Sequence, residues 1–218
     1  GSTAQTDIFL KDLQSGTTTR ISTSLTGTDG NGESVNARVS ADGDYVVFQS
    51  EASNLGSGDT NGYSDIFLWS AATGKLTNIT RGLAPVSNPN NGNVNADVAY
   101  NGNDNAIIVF ETARNLVAAD TSNGTDVYAY NFKTRELQLV SSKADGSGVA
   151  LSSGDASVSD DGRWVVFTSY SDALVAGDTN GTRDIFVKDL YTGAIALVSK
   201  AGAAAGNGPS SHAQISSG

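Results

Sequence analysis

One pattern recurs along this chain: an acid followed by an aliphatic and then an aromatic residue. It appears as Asp7-Ile-Phe, Asp65-Ile-Phe, Asp126-Val-Tyr and Asp184-Ile-Phe. The acids lie 58, 61 and 58 residues apart. A second marker keeps the same beat: Ala37-Arg-Val-Ser, Ala96-Asp-Val-Ala, Ala156-Ser-Val-Ser and Ala213-Gln-Ile-Ser. A repeat of this kind limits the fold to architectures in which each unit buries its apolar faces against its neighbours.

Within the repeat the apolar residues alternate or run in short blocks, and helical spacing is absent. Val, Ile, Phe, Tyr and Thr fill the blocks, and Gly, Asn, Asp and Ser fill the gaps. The first full repeat is predicted to hold four strands, at about 37–40, 45–50, 65–70 and 75–80. The turn Ala41-Asp-Gly43 joins the first two, with Asp and Gly both expected to accept positive φ, and Ala72-Thr-Gly74 joins the last two. Repeats at about 36–80, 95–141 and 155–199 are complete, within a single domain of 1–218. A partial repeat at 7–22 supplies the third and fourth strands, and one at 212–218 supplies only the first. The second strand of that split unit is missing. Three outcomes are open: a segment of a longer ring, a compact ring with one defective unit, or a ring completed between chains. Unpaired strand edges invite self-association. The opening Gly1-Ser2 is expected to be a cleavage remnant.

The segments Ser159-Asp-Asp-Gly-Arg-Trp-Val-Val-Phe167 and Asp184-Ile-Phe-Val-Lys-Asp-Leu-Tyr-Thr-Gly193 resemble the TolB-type, WD-repeat-like β-propeller repeat. Residues 40–48 and 7–16 match it well. The middle copy departs from it, with Asn101-Gly in place of Asp-Gly and Lys133-Thr-Arg135 in place of Thr-Gly. The resemblance covers almost the whole chain. It implies an all-β propeller of four-stranded antiparallel blades, three complete and a fourth split or incomplete. For function it implies only a choice among binding scaffolds, envelope docking proteins in the periplasm, and propellers attached to hydrolases.

The net charge of −10 argues against nucleic acid and anionic membrane surfaces, which need Lys and Arg. With no Cys, disulfides and thiolate metal sites are excluded. No apolar run is long enough to cross a membrane as a helix.

The loop before the third strand carries the best candidate chemistry. It reads Asp59-Thr-Asn-Gly-Tyr-Ser-Asp65, Asp120-Thr-Ser-Asn-Gly-Thr-Asp126 and Asp178-Thr-Asn-Gly-Thr-Arg-Asp184. Alternating oxygen side chains around a Gly suit calcium, with Asp59, Asn61, Asp65, Asp120, Asn123, Asp126, Asp178, Asn180 and Asp184 as candidate ligands. Asp and Asn also bond their own backbone in ordinary turns, and Asp7 opens its strand with no such loop before it. Both readings stand at this stage.

A catalytic constellation is not expected. The only histidine, His212, occupies a repeat position held elsewhere by Asn36, Asn95 and Asp155, which reads as a turn role. Glu51 and Glu111 are expected just after the second strand, without matching roles. Trp164 aligns with Tyr45 and is expected in the core, whereas Trp69 is expected to be more exposed. Arg38, Asp97, Ser157 and Gln214 are equivalent yet different, as a channel lining or a drifting solvated face would be. The expected function is a non-catalytic binding or scaffold module of a bacterial secreted or cell-surface protein, steadied by calcium and taking a protein or glycan ligand. The alternatives are the propeller portion of a polysaccharide-degrading enzyme or peptidase, and a TolB-like envelope docking domain.

Overall fold

The computed structural model describes residues 5–83, 92–100, 102, 105–202 and 204–216. A hairpin comes first, β1 (Phe9–Lys11) and β2 (Thr18–Arg20). Three four-stranded antiparallel sheets follow, each a meander with its strands in chain order. Sheet 1 holds β3 (Ser34–Val39), β4 (Tyr45–Ser50), β5 (Asp65–Ser70) and β6 (Leu76–Asn78). Sheet 2 holds β7 (Asn93–Tyr100), β8 (Ala106–Thr112), β9 (Asp126–Asn131) and β10 (Leu137–Leu139). Sheet 3 holds β11 (Ser153–Val158), β12 (Trp164–Ser169), β13 (Asp184–Asp189) and β14 (Ile195–Leu197). A short hairpin, β15 (Lys200–Ala201) with β16 (Ala204–Ala205), lies in what the sequence suggests is a plain linker.

The sheets stack face to face because both faces of their central strands are apolar. Val46 and Phe48 of β4 turn toward Ile8 and Ile21 of the N-terminal hairpin. Tyr45 and Val47 meet Ile108, Phe110 and Tyr128 of sheet 2. On the other face of sheet 2, Ile107, Val109 and Val127 meet Val165, Phe167 and Phe186 of sheet 3. In each sheet an aromatic pair bridges the central strands: Phe48 with Phe67, Phe110 with Tyr128, and Phe167 with Phe186, at 5.8, 5.9 and 5.8 Å between centroids.

The Ser-x-Asp-Gly signature is a capped hairpin. Ser40 Oγ donates to Asp42 Oδ1 at 2.6 Å and accepts from the Tyr45 N–H at 3.0 Å. Ser159, Asp161 and Trp164 repeat this at 2.5 and 2.9 Å. Only the glycine of each turn adopts positive φ, +82° at Gly43 and +71° at Gly162, so the Asp serves as an acceptor and not as a left-handed residue. In the divergent copy Arg135 takes the left-handed position that Gly74 and Gly193 hold, at φ +66°. Asn101 of the other divergent turn lies outside the described residues.

The first strand of each sheet is longer than the sequence suggests. It begins at Ser34, Asn93 and Ser153, and it carries a bulge. Residues 36–37, 95–96 and 155–156 each oppose one partner, across from Phe48, Phe110 and Phe167. The leading bulge residue is left-handed in all three, at φ +55° for Asn36, +49° for Asn95 and +50° for Asp155. Asn and Asp tolerate this region better than other non-glycine residues. The fourth strands are shorter than expected, three residues each. The expected strand at 212–218 forms no ladder over 212–216, and 217–218 lie outside the described residues. Even so, His212 adopts the same left-handed conformation, φ +60°.

Candidate functional site

The bulges bring the inner strands to one place. A cavity of about 230 Å³ is lined by two residues from the first repeat, Asn36 and Arg38, and three from each of the others, Asn95 to Asp97, Asp155 to Ser157, and His212 to Gln214, with Glu111 in its wall. The positions noted as equivalent but different, Arg38, Asp97, Ser157 and Gln214, therefore do line a shared cavity. His212 shares the left-handed conformation of its repeat equivalents, which hold strand bulges and not the turns that the sequence suggests.

Glu111 is the residue the sequence reading misplaced. It lies within β8, aligned with Gln49 and Thr168, and it is 5% exposed. Its signal was its place one residue after the buried Phe110. Glu111 Oε2 accepts from Asn95 Nδ2 at 3.2 Å, and Oε1 accepts from the Ala156 N–H at 3.4 Å in the next repeat. Gln49 does the same one repeat earlier, accepting from Asn36 Nδ2 at 3.1 Å and the Asn95 N–H at 3.2 Å. Burial pushes the Glu111 carboxyl up from its ordinary value. Gly154 leaves the room for it, since a Cβ there would lie 2.9 Å from Glu111 Oε2. Asp97 adds a second tie, accepting from Ser157 Oγ at 3.0 Å and the Val158 N–H at 3.1 Å.

The third repeat departs from this scheme. Thr168 is too short to reach onward, and Arg183 fills the space, donating through Nε to Thr168 Oγ1 at 2.9 Å and pairing with Asp155. A second cavity of about 220 Å³ opens here between Glu111, Asp155, Tyr170 and Arg183. Arg38 is exposed and its guanidinium donates to the Ala37 carbonyl at 3.2 Å. The main cavity thus sets one cation against three carboxylates, those of Asp97, Glu111 and Asp155.

The repeated loops lie apart from this cavity. Their closing acid is part of a latch found in all four units. Ser22, Thr80, Ser141 and Ser199 donate a hydroxyl to Asp7, Asp65, Asp126 and Asp184 at 2.6 to 2.7 Å. Each hydroxyl accepts in turn from the N–H after the acid: Ile8, Ile66, Val127 and Ile185, at 2.9 to 3.0 Å. The latch joins the start of the third strand to the end of the fourth. It explains why the acid recurs at Asp7 without a loop.

Asn61 and Asn180 use both ends of their amides within the loop. Nδ2 donates to Asp65 at 3.4 Å and to Asp184 at 2.7 Å, and Oδ1 accepts from the N–H of Tyr63 and of Thr182. In the middle copy Ser122 takes that place, donating to Asp126, and Asn123 is exposed. Trp69, expected to be exposed, is partly buried against the first core. Trp164 is half-buried, with the Arg163 guanidinium 4.8 Å above its ring.

No protein-family model matches the chain, and no curated protein matches it. Solved structures similar to it include the TolB protein of Acinetobacter baumannii, at 18% identity and a TM-score of 0.48 over 88% of this chain. The tricorn protease matches 84% of it at 14% identity and a TM-score of 0.47. An oligogalacturonate lyase from Vibrio parahaemolyticus matches 88% at 14% identity and a TM-score of 0.45. This chain spans only 37%, 16% and 46% of those three chains. TolB proteins, whose repeat the sequence resembles, thus stand among the solved structures similar to this chain.

Proposed function

We propose that the chain is a non-catalytic binding module, a β-propeller segment of a bacterial secreted or cell-surface protein, with the periplasm as the alternative setting. Its ligand, a protein segment or a glycan, binds at the cavity between the inner strands. One observation carries this reading. Asn36, Asn95, Asp155 and His212 share one backbone conformation but not one side chain, and they converge on one cavity with Arg38, Asp97 and Glu111. The latch, the capped hairpin and the aromatic pairs serve packing, and their residue types hold nearly constant. A convergent set of differing polar groups is what a binding site for one asymmetric ligand requires.

An enzymatic reading needs a free base. Both oxygens of Glu111 are engaged by the Asn95 amide and the Ala156 N–H, which suits a structural clip better than proton transfer. The net charge of −10 favours a ligand other than nucleic acid.

The test is a peptide array and a glycan array, each probed with the wild-type chain, Arg38→Ser and His212→Asn. These variants install residues that other repeats already carry. A hit weakened by about tenfold or more in both, with unchanged melting temperature, supports the reading. Equal binding by all three proteins refutes the cavity as the site. Release of cleavage products from pectate or peptide substrates would instead establish an enzyme.

A further inference from the structure

In each complete repeat the loop before the third strand opens on an acid that folding buries. Asp59, Asp120 and Asp178 are 8%, 6% and 4% exposed. A buried carboxylate is costly unless its oxygens find partners. The second repeat supplies them: Asp120 accepts from Tyr128 Oη, from Asn115 Nδ2 at 3.1 Å and from the Ser122 N–H at 3.0 Å. The first repeat supplies the Asn61 N–H at 3.3 Å; burial, then the charge of Asp65, push the Asp59 carboxyl up, and the Asn61 N–H and the charge of Arg81, whose guanidinium packs over Gly58, oppose that rise.

The third repeat supplies neither. Phe186 stands where Tyr128 stands in the second, and Ala173 stands where Asn115 stands. The Asn180 N–H leans toward Asp178 without closing a hydrogen bond, and both carboxylate oxygens of Asp178 are buried with no hydrogen-bond partner. Two more buried oxygens of the same region share that condition, Asp172 Oδ1 and Thr182 Oγ1. The Gly181 N–H holds Asp172 against the loop through its other oxygen, at 3.2 Å. Burial, then the charges of Asp184 and Asp172, push the Asp178 carboxyl up. The region gathers oxygen acceptors and leaves both oxygens of Asp178 without a donor, and that chemistry suits a hard cation.

We propose that the third repeat holds a calcium site, with Asp178 as its central ligand, Asp172 as the second carboxylate and the Thr182 hydroxyl as a neutral oxygen. Two carboxylates offset the divalent charge. Water and backbone carbonyls complete the sphere, because among the described residues no three acidic, histidine or cysteine side chains gather around one point. The site uses one of the three loops that share the sequence motif; it adds Asp172, which lies before the motif, and Thr182, a motif residue outside the ligand set that the sequence suggests. Asp184 stays in its latch with Ser199 and Asn180.

The experiment is calorimetric titration of the full chain with calcium chloride after chelator treatment, alongside thermal unfolding. One calcium per chain is expected, with a melting temperature raised by roughly 5–10 °C at a hundredfold excess over Kd. Asp178→Asn weakens binding at least about tenfold, whereas Asp59→Asn leaves it intact. The double substitution Ala173→Asn with Phe186→Tyr writes the second repeat's donors into the third. It abolishes the calcium response and keeps the chain folded in chelator. No binding at millimolar calcium, or binding that Asp178→Asn leaves unchanged, overturns the proposal.

Discussion

Asp126 offers a quantitative test of the latch. It opens β9 and is 1% exposed; Ser141 Oγ donates to Oδ1 at 2.7 Å and Ser122 Oγ donates to Oδ2. Burial pushes its carboxyl from the ordinary 3.8 up to about 6; the two hydroxyls pull the other way, and the nearby Asp120 adds to the rise. Between these values the folded chain holds a proton that the unfolded chain has released. Stability is therefore greatest below the lower value and falls as pH rises through the window. The slope approaches about 1.4 kcal/mol per pH unit between the two values, and because both ends of the window are only partly titrated, about 2 kcal/mol is lost between pH 4 and pH 6. Asp126→Asn cannot titrate, and its amide still reaches both hydroxyls. Urea unfolding of both proteins from about pH 4 to about pH 7 isolates the effect, because every other acid is common to the pair. The difference in unfolding free energy should move by about 2 kcal/mol in favour of the variant as pH rises across this range. Parallel curves would refute the account, and would mean that the serine hydroxyls already hold the carboxylate charged near its ordinary value.

Two further substitutions probe the packing. Tyr128→Phe removes the hydroxyl that donates to Asp120 and accepts from the Leu116 N–H at 3.0 Å, leaving two buried groups short of a partner; a loss of about 2–3 kcal/mol in urea unfolding is expected, and a loss near zero would show that Asn115 and Ser122 suffice. Gly32→Ala would place a Cβ 2.6 Å from the Glu51 carbonyl carbon and 2.7 Å from the Ala52 nitrogen, where only backbone movement makes room; a loss of about 1–3 kcal/mol is expected, and an unchanged midpoint would show that this loop yields freely.

The parts of the fold legible in the sequence are those that depend on local pattern. The strands Tyr45–Ser50 and Asp65–Ser70 have the bounds that alternation and turn residues suggest, because most of their residues are buried. The first strands were legible only in part. Ser34 and Val35 read as linker, and the bulge that follows hides their pairing with Ser50 and Gln49. Asn36 and His212 carry a local signal, since a polar residue at a fixed repeat position suits a left-handed turn. That their backbones all face one cavity follows from how the sheets stack, and no period in the chain encodes it. The role of Glu111 was hidden for the same reason: its partners, Asn95 and Ala156, lie 16 and 45 residues away. The loop acids were recognisable as oxygen-rich. Which of them lacks a partner depends on residues such as Phe186, Ala173 and Arg81, which lie outside the motif.

The buried acids also show how a repeat divides its residues between architecture and local use. The latch needs an acid, a hydroxyl and an N–H at fixed offsets, and all four units keep them, because losing one leaves the others buried and unpaired. The acid that opens the loop is under a weaker constraint. Any source of donors or positive charge will stabilise it, so each repeat can satisfy it differently: with the Asn61 N–H and the nearby charge of Arg81 in the first, and with Tyr128 and Asn115 in the second. Once hydrogen-bond donors fill that role the loop has no need of an ion. The repeat that lacks the phenol and the amide of the second, with Phe186 and Ala173 in their places, is the one whose acid remains open to a ligand. Equivalent positions in a repeat protein are thus informative in opposite ways. Constancy marks what the sheets need, and a partner missing from one copy marks where that copy can bind something the others do not.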